Sequence, residues 1–158
     1  VGTSAGTPAK PSFVSTVFGA TSSSGAGLAN KSGYNFRMWL PNGASTAIAE
    51  DGAVVPPGSA PLTATEIDEI NAQETRWCTY AWPTSSGNSG NKAFFINQGG
   101  EVIATSNIPV GSSALFFSGA TTTPASDEIF DTDDTGDIDG SILTGTPNAS
   151  SLVWNPTN

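Results

Sequence analysis

The stretch ETRWCTYAWPTSSGNSGNKAFFINQGGEVI, residues 74–103, decides the fold. Two aromatic-rich runs flank a loop of Ser, Gly and Asn, and a second turn leads into a short apolar run. Alternation with a period of two, bounded by turn-forming residues, is typical of antiparallel strands joined by hairpins. We therefore predict a β-meander with strands at 77–82, 92–97 and 101–105.

A fourth strand is predicted at YNFRMWL, residues 34–40, where the alternation is clearest. Its two faces carry Tyr34, Phe36, Met38 and Leu40 on one side and Asn35, Arg37 and Trp39 on the other. Turn residues follow at Pro41-Asn42-Gly43. The four strands together predict an antiparallel sheet.

Two short helices complete the predicted fold. ATEIDEINAQE, residues 64–74, has acids in its first turns and a narrow apolar seam of Ile67 and Ile70. KPSFVSTVFG, residues 10–19, has one apolar stripe between Pro11 and a terminal glycine, and a strand is the alternative there. Helices beside an antiparallel meander give an α+β fold class.

The chain of 158 residues is long enough for one domain with its own core. Within it we expect a flexible lead-in at 1–9, a helix and antiparallel sheet at 10–106, and a loop-rich tail at 107–158. Three short apolar runs of the tail are predicted to be edge strands or anchors; they lie at 114–117, 141–145 and 151–154.

Composition limits the function. Fourteen acids and five bases give a net charge of −9, which argues against nucleic acid and against anionic membrane surfaces as partners. There is no His, so Ser-His and Cys-His nucleophile pairs are excluded, as are most zinc sites. Cys78, the one cysteine, lacks an activating base nearby and is predicted to be a small buried hydrophobe. We predict that the chain is not an enzyme.

The acidic segment DEIFDTDDTGDID, residues 127–139, holds seven of the fourteen acids. Its spacing matches the first nine positions of an EF-hand-like calcium loop, with a glycine at the sharp turn and an aliphatic residue two positions later. The candidate calcium ligands are Asp131, Asp133, Thr135, Asp137 and Asp139. Ile142 occupies the twelfth position, where an EF-hand has a bidentate Glu, so we predict at most a weaker calcium loop, against the alternative of a solvated acidic loop.

Exposed tryptophans are a second candidate site. Trp39, Trp77 and Trp82 could form a platform for sugars, and packing in the core of the sheet is the alternative that we favour. A secreted module that binds carbohydrate or a surface partner through these rings is therefore the alternative function.

Three segments in this order resemble the globular heads of type IV pilin-like prepilin proteins, related to the pseudopilins of type II secretion and abundant in planctomycete-type bacteria. They are KSGYNFRMWLP (31–41), ETRWCTYAWP (74–83) and GNKAFFINQGGEVIAT (90–105). Lys92 stands where that family often has Arg. The resemblance spans residues 12–106.

The resemblance implies a bacterial, extracytoplasmic structural protein whose head is a helix packed on an antiparallel sheet. Its partners would be other pilin-like subunits or secretion-assembly proteins. The hydrophobic stalk helix of the family is not in this sequence, so membrane attachment would come only through a helix preceding Val1. Major pseudopilins also carry a calcium site in a C-terminal loop, which by acid spacing alone directs attention to the loop at 131–139.

Overall fold

A computed structural model describes residues 27–41, 47–49, 64–131, 138 and 140–157 of the chain. The predicted lead-in at 1–9 and the predicted helix at 10–19 lie outside the described residues.

The described residues form one antiparallel sheet and one helix. In chain order the elements are β1 (Leu28–Lys31), β2 (Tyr34–Pro41), β3 (Ala47–Ala49), α1 (Ala64–Thr75), β4 (Cys78–Pro83), β5 (Ala93–Asn97), β6 (Ile103–Thr105) and β7 (Trp154–Pro156). The strand order is β1-β2-β4-β5-β6-β7. The short β3 pairs with the C-terminal end of β2, on the same edge as β1. The strands predicted at 34–40, 77–82, 92–97 and 101–105 are β2, β4, β5 and β6.

The register of the sheet follows from the alternation of its strands. Tyr80 lies opposite Arg37 of β2 and Phe95 of β5, and Phe95 in turn lies opposite Ile103. Directly opposed residues share a face of the sheet. This face, here called the core face, carries side chains with at most 2% of their surface exposed: Tyr80, Trp82, Ala93, Phe95, Ile103 and Trp154.

The C-terminal tail covers the core face. Phe117, Ile129, Phe130, Ile138 and Leu152 all pack into the same cluster as the sheet residues. The tail therefore supplies the second layer that any sheet needs in order to bury its apolar face. The apolar runs predicted in the tail do serve as anchors, and 151–154 leads into β7.

Hydrogen bonds from core side chains to tail carbonyls hold this irregular layer in place. The Trp82 indole nitrogen donates to the carbonyl of Gly119 at 2.7 Å, and the Tyr80 hydroxyl donates to that of Ser126 at 3.0 Å. The same hydroxyl accepts from the Ile129 amide at 3.3 Å. Each bond satisfies a buried polar group that would otherwise be costly.

The predicted α+β fold class is wrong, because the protein is mainly β. The predicted helix at 64–74 exists as α1, but its 12 residues make up all the helix within the described part of the chain. Among the described strands α1 contacts only β2, and Ile67 of the predicted seam is 45% exposed. The layer over the core face is the tail, so no helix is needed to cover it.

A tight hairpin that the sequence analysis missed connects β1 to β2. Ser32 and Gly33 both have positive φ, 52° and 81°, which is the signature of a type I′ turn. The carbonyl of Gly33 then accepts the amide of Thr84 at 2.9 Å. This hydrogen bond connects the turn to the residue that follows β4.

Candidate functional site

An apolar groove lies on the face of the sheet opposite the core face. Its floor is the middle strand β4, which lines the groove with the small side chains of Thr79 and Ala81. Larger side chains on both neighbouring strands form the walls, because Phe36 and Phe94 lie directly opposite Ala81 in β2 and β5. Small residues between large ones make a furrow along the strand, which we call the β4 groove.

The β4 groove has a volume of about 330 Å³. Its lining consists of Tyr34, Phe36, Thr79, Ala81, Phe94, Phe95, Ile96 and Val102. At one end the rings of Tyr34 and Phe94 pack at 5.9 Å between centroids, tilted by 53°. Gly90 lies against the Tyr34 ring, since a Cβ there would overlap the hydroxyl and approach Cζ to 2.7 Å.

The groove has no ionisable side chain in its lining other than the phenol of Tyr34. The hydroxyl of Thr79 is buried without a hydrogen-bond partner. Such a surface has no carboxylate, amine or thiol in its lining, and it favours apolar occupants. The groove is therefore suited to packing against an apolar partner.

The acidic loop leaves the tail between two paired residues. Phe130 and Ile142 form an antiparallel bridge, and the Asp131 amide donates to the carbonyl of Ser141 at 2.8 Å. Ile138, the aliphatic position of the predicted calcium loop, is buried in the core at 3% exposure. The ends of the loop are thus held together, and Ile138 is anchored in the core.

Of the predicted calcium ligands, only Asp131 lies within the described residues, and it is exposed. Asp133, Thr135, Asp137 and Asp139 lie outside them. Among the residues that the structure describes, no three His, Cys, Asp or Glu side chains cluster closely enough to hold a metal ion together. The calcium loop therefore stays a prediction.

Glu128, at the start of the acidic segment, is half-buried beside a turn of the tail. Asn148 donates from Nδ2 to the Glu128 carboxylate at 2.8 Å and to its backbone carbonyl. Burial raises the pKa of Glu128, and the hydrogen bonds from Ser150 and Asn148 oppose that rise. Asn148 also accepts the amides of Ser150 and Leu152, so this pair positions the chain that enters β7.

The three tryptophans do not form an exposed platform. Trp82 is fully buried, Trp39 packs against the core, and Trp77 is half-buried. The guanidinium of Arg37 lies 5.5 Å from the ring centroid of Trp39, in a cation–π contact. Burial lowers the pKa of Arg37. The core-packing interpretation is the better one for Trp82.

Cys78 is a buried side chain, as predicted. It is 0% exposed, and burial raises the pKa of its thiol to about 12. Cys78 therefore resembles the small buried hydrophobe that a structural cysteine usually is.

Comparisons with protein-family models, with curated proteins and with solved structures found no match to this chain. Within the described ranges no helix is long and apolar enough to cross a membrane.

The β4 groove was missed at the sequence level, although a signal for it was present. Phe94 and Phe95 are adjacent in β5, so this strand is apolar on both faces. The outward residues Phe36 of β2 and Ala81 of β4 complete the pattern of large beside small. Reading both faces of three strands together would have predicted a second apolar surface.

Proposed function

We propose that this chain is a non-catalytic assembly module, the extracytoplasmic head of a bacterial pilin-like or pseudopilin subunit. The β4 groove is the observation that carries the proposal. An apolar furrow without a cationic or carboxylate side chain suits a helix or strand laid into it by its hydrophobic side. The proposal also rests on the resemblance of the segments that form β2, β4 and β5.

The occupant of the groove, in this proposal, is an apolar helix or strand of a neighbouring pilin-like subunit. Two strand spacings separate β2 from β5, about 9.6 Å, which is close to the diameter of a helix with its side chains.

The gene upstream of the codon for Val1 tests the family assignment independently. A pilin-like subunit requires an apolar stretch of about 20 residues after a short basic leader. An upstream frame that encodes neither feature would contradict the assignment, even if the groove binds an apolar partner.

Calcium has a secondary role in this proposal. Bound at the acidic loop, it would order the chain between the bridged residues Phe130 and Ile142. Asp131, Asp133, Thr135, Asp137 and Asp139 would supply oxygen ligands, the type that calcium prefers. The ion would then stabilise a surface for packing and would take no part in a reaction.

A further inference from the structure

The chain from Asn107 to Phe117 forms a closed loop at the end of β6, which we call the clasp loop. The side chain of Asn107 closes it, since Nδ2 donates to the carbonyl of Phe117 at 2.9 Å and Oδ1 accepts the amide of Phe117 at 2.7 Å. The Phe116 amide donates to the carbonyl of Asn107 at 2.8 Å. Asn107 is 0% exposed and has φ of 60°, so the closure is buried and conformationally specific.

Further hydrogen bonds hold the clasp loop in one shape. The Val110 amide donates to the carbonyl of Ser151 at 2.8 Å, and the Ser112 amide donates to that of Pro109 at 2.9 Å. The Ala114 amide donates to the Ser112 hydroxyl at 3.1 Å. A loop held this way loses little conformational entropy when it binds.

The clasp loop leaves three apolar side chains partly at the surface, one of which, Phe116, also packs edge-on against the Phe117 ring at 4.9 Å between centroids. Val110 is 62% exposed, Ile108 38% and Phe116 37%. Three such residues on one compact loop differ from singly scattered surface hydrophobes, which need no explanation. Compact closed loops of this size are frequently functional.

The loop also lies in a long uncharged part of a strongly acidic chain. No charged residue occurs from 102 to 126, although the chain carries a net charge of −9. An anionic lipid surface is disfavoured as the partner, because the loop has no Lys or Arg to meet it. Two acidic copies of the chain, however, can approach through this segment without opposing any charge that the segment itself carries.

We propose that the clasp loop is a self-association surface, through which two copies of this chain meet loop to loop. A two-fold contact brings the same patch together from both sides, so the patch must complement itself. An uncharged apolar patch meets that condition, and Val110 is its most exposed member. This contact is separate from the β4 groove and does not rest on the pilin-like assignment.

Sedimentation velocity of the full chain over a concentration series tests the proposal. The wild type should show dimerisation that strengthens with salt, because salt screens the repulsion between acidic bodies. V110E would place two carboxylates opposite each other and should weaken dimerisation at least about tenfold. The control I67E changes an apolar side chain of α1 that is 45% exposed and should dimerise like the wild type.

A trapping experiment detects the contact even when it is weak. V110C should form intermolecular disulfides under mild oxidation well before I67C does, since Cys78 is buried and does not react. Equal crosslinking of the two variants, or a wild type that stays monomeric at every concentration and salt, overturns the proposal. Binding of the wild type but not V110E to uncharged lipid vesicles, without self-association, also overturns it.

Discussion

The indole nitrogen of Trp82 and the side-chain amide of Asn35 both donate to one carbonyl oxygen, that of Gly119, at 2.7 and 2.8 Å. Trp82 lies in β4 and Asn35 lies opposite it in β2. A single peptide group of the tail therefore ties together the two strands that share the longest pairing of the sheet. The irregular layer is attached to the sheet at a defined point.

Replacing Trp82 with Phe should destabilise the protein by about 2–3 kcal/mol, since it removes one buried hydrogen bond and leaves a cavity. The Gly119 carbonyl still accepts the hydrogen bond from Asn35, so it is not left without a donor. Urea unfolding followed by circular dichroism measures the change. An unchanged midpoint would show that this attachment point contributes nothing to stability.

Asn107→Ala should cost about 1–3 kcal/mol, because the buried amide of Phe117 loses its acceptor, whereas the Phe117 carbonyl keeps the Ser86 hydroxyl as a donor. Asn97→Ala is the matched control, since its side chain bonds one exposed amide, that of Gly99. We expect the control to cost less than about 1 kcal/mol. Equal losses in urea unfolding would contradict a closing role for Asn107.

Glu128→Gln should stabilise the protein at neutral pH and have little effect in acid. The folded-state pKa of Glu128 is raised, mainly by burial, so the folded chain holds this proton more tightly than the unfolded chain. The resulting stability is present below the unfolded-state pKa and is lost as the pH rises through the folded-state pKa. A neutral Gln removes that loss and keeps an acceptor for Asn148.

Urea midpoints of the wild type and E128Q, compared across the acidic range and at neutral pH, measure this effect. The difference between the two proteins should grow as the pH rises. A difference that instead shrinks with rising pH would reverse the assigned direction of the pKa shift.

Calcium should raise the melting temperature if the acidic loop binds it. With a dissociation constant on the order of 10⁻⁴–10⁻³ M, about 10 mM calcium would stabilise the folded state by about 1.4–2.7 kcal/mol. Asp131→Asn should reduce the gain, and magnesium is the control for charge alone. A melting temperature that is the same in calcium and in EGTA would contradict calcium binding at the acidic loop.

Gly33→Ala should be more destabilising than Gly100→Ala. Both glycines have similar positive φ, 81° and 77°, so both substitutions carry the left-handed penalty of about 1–2 kcal/mol. At Gly33 the new Cβ would also lie 2.9 Å from that of Ser89, whereas nothing lies within 4 Å at Gly100. Thermal unfolding of the two variants separates the backbone strain that they share from the steric overlap that only Gly33→Ala adds. Equal losses of stability would mean that Ser89 moves aside freely.

The sheet was predictable wherever side chains alternate between two environments. The ends of β2, β4 and β5 fall within one or two residues of the predicted ones, because aromatic residues on alternate positions report burial directly. The strand β1 was missed, since Leu28–Lys31 does not alternate and a Ser-Gly turn is a weaker hairpin signal than Asn-Gly.

The tail could not be predicted for a different reason. Its conformation depends on side chains that bond distant backbone, such as Tyr80 to Ser126, and such bonds leave no period in the sequence. The fold class was misjudged for the same reason, because the layer over the sheet has no regular structure to recognise. At the acidic loop, the spacing of the acids predicted candidate ligands. The burial of Ile138 could not be predicted from that spacing, because it depends on how the tail packs.

The middle strand β4 is constrained from both sides. Tyr80 and Trp82 fill the interior, while Thr79 and Ala81 keep the opposite surface hollow. If β4 slipped by one residue against its neighbours, the bulky rings would point outward into the hollow and the small residues would leave voids inside. A shifted register of β4 would therefore be destabilised on both faces of the sheet, and we expect this strand to pair in a single register.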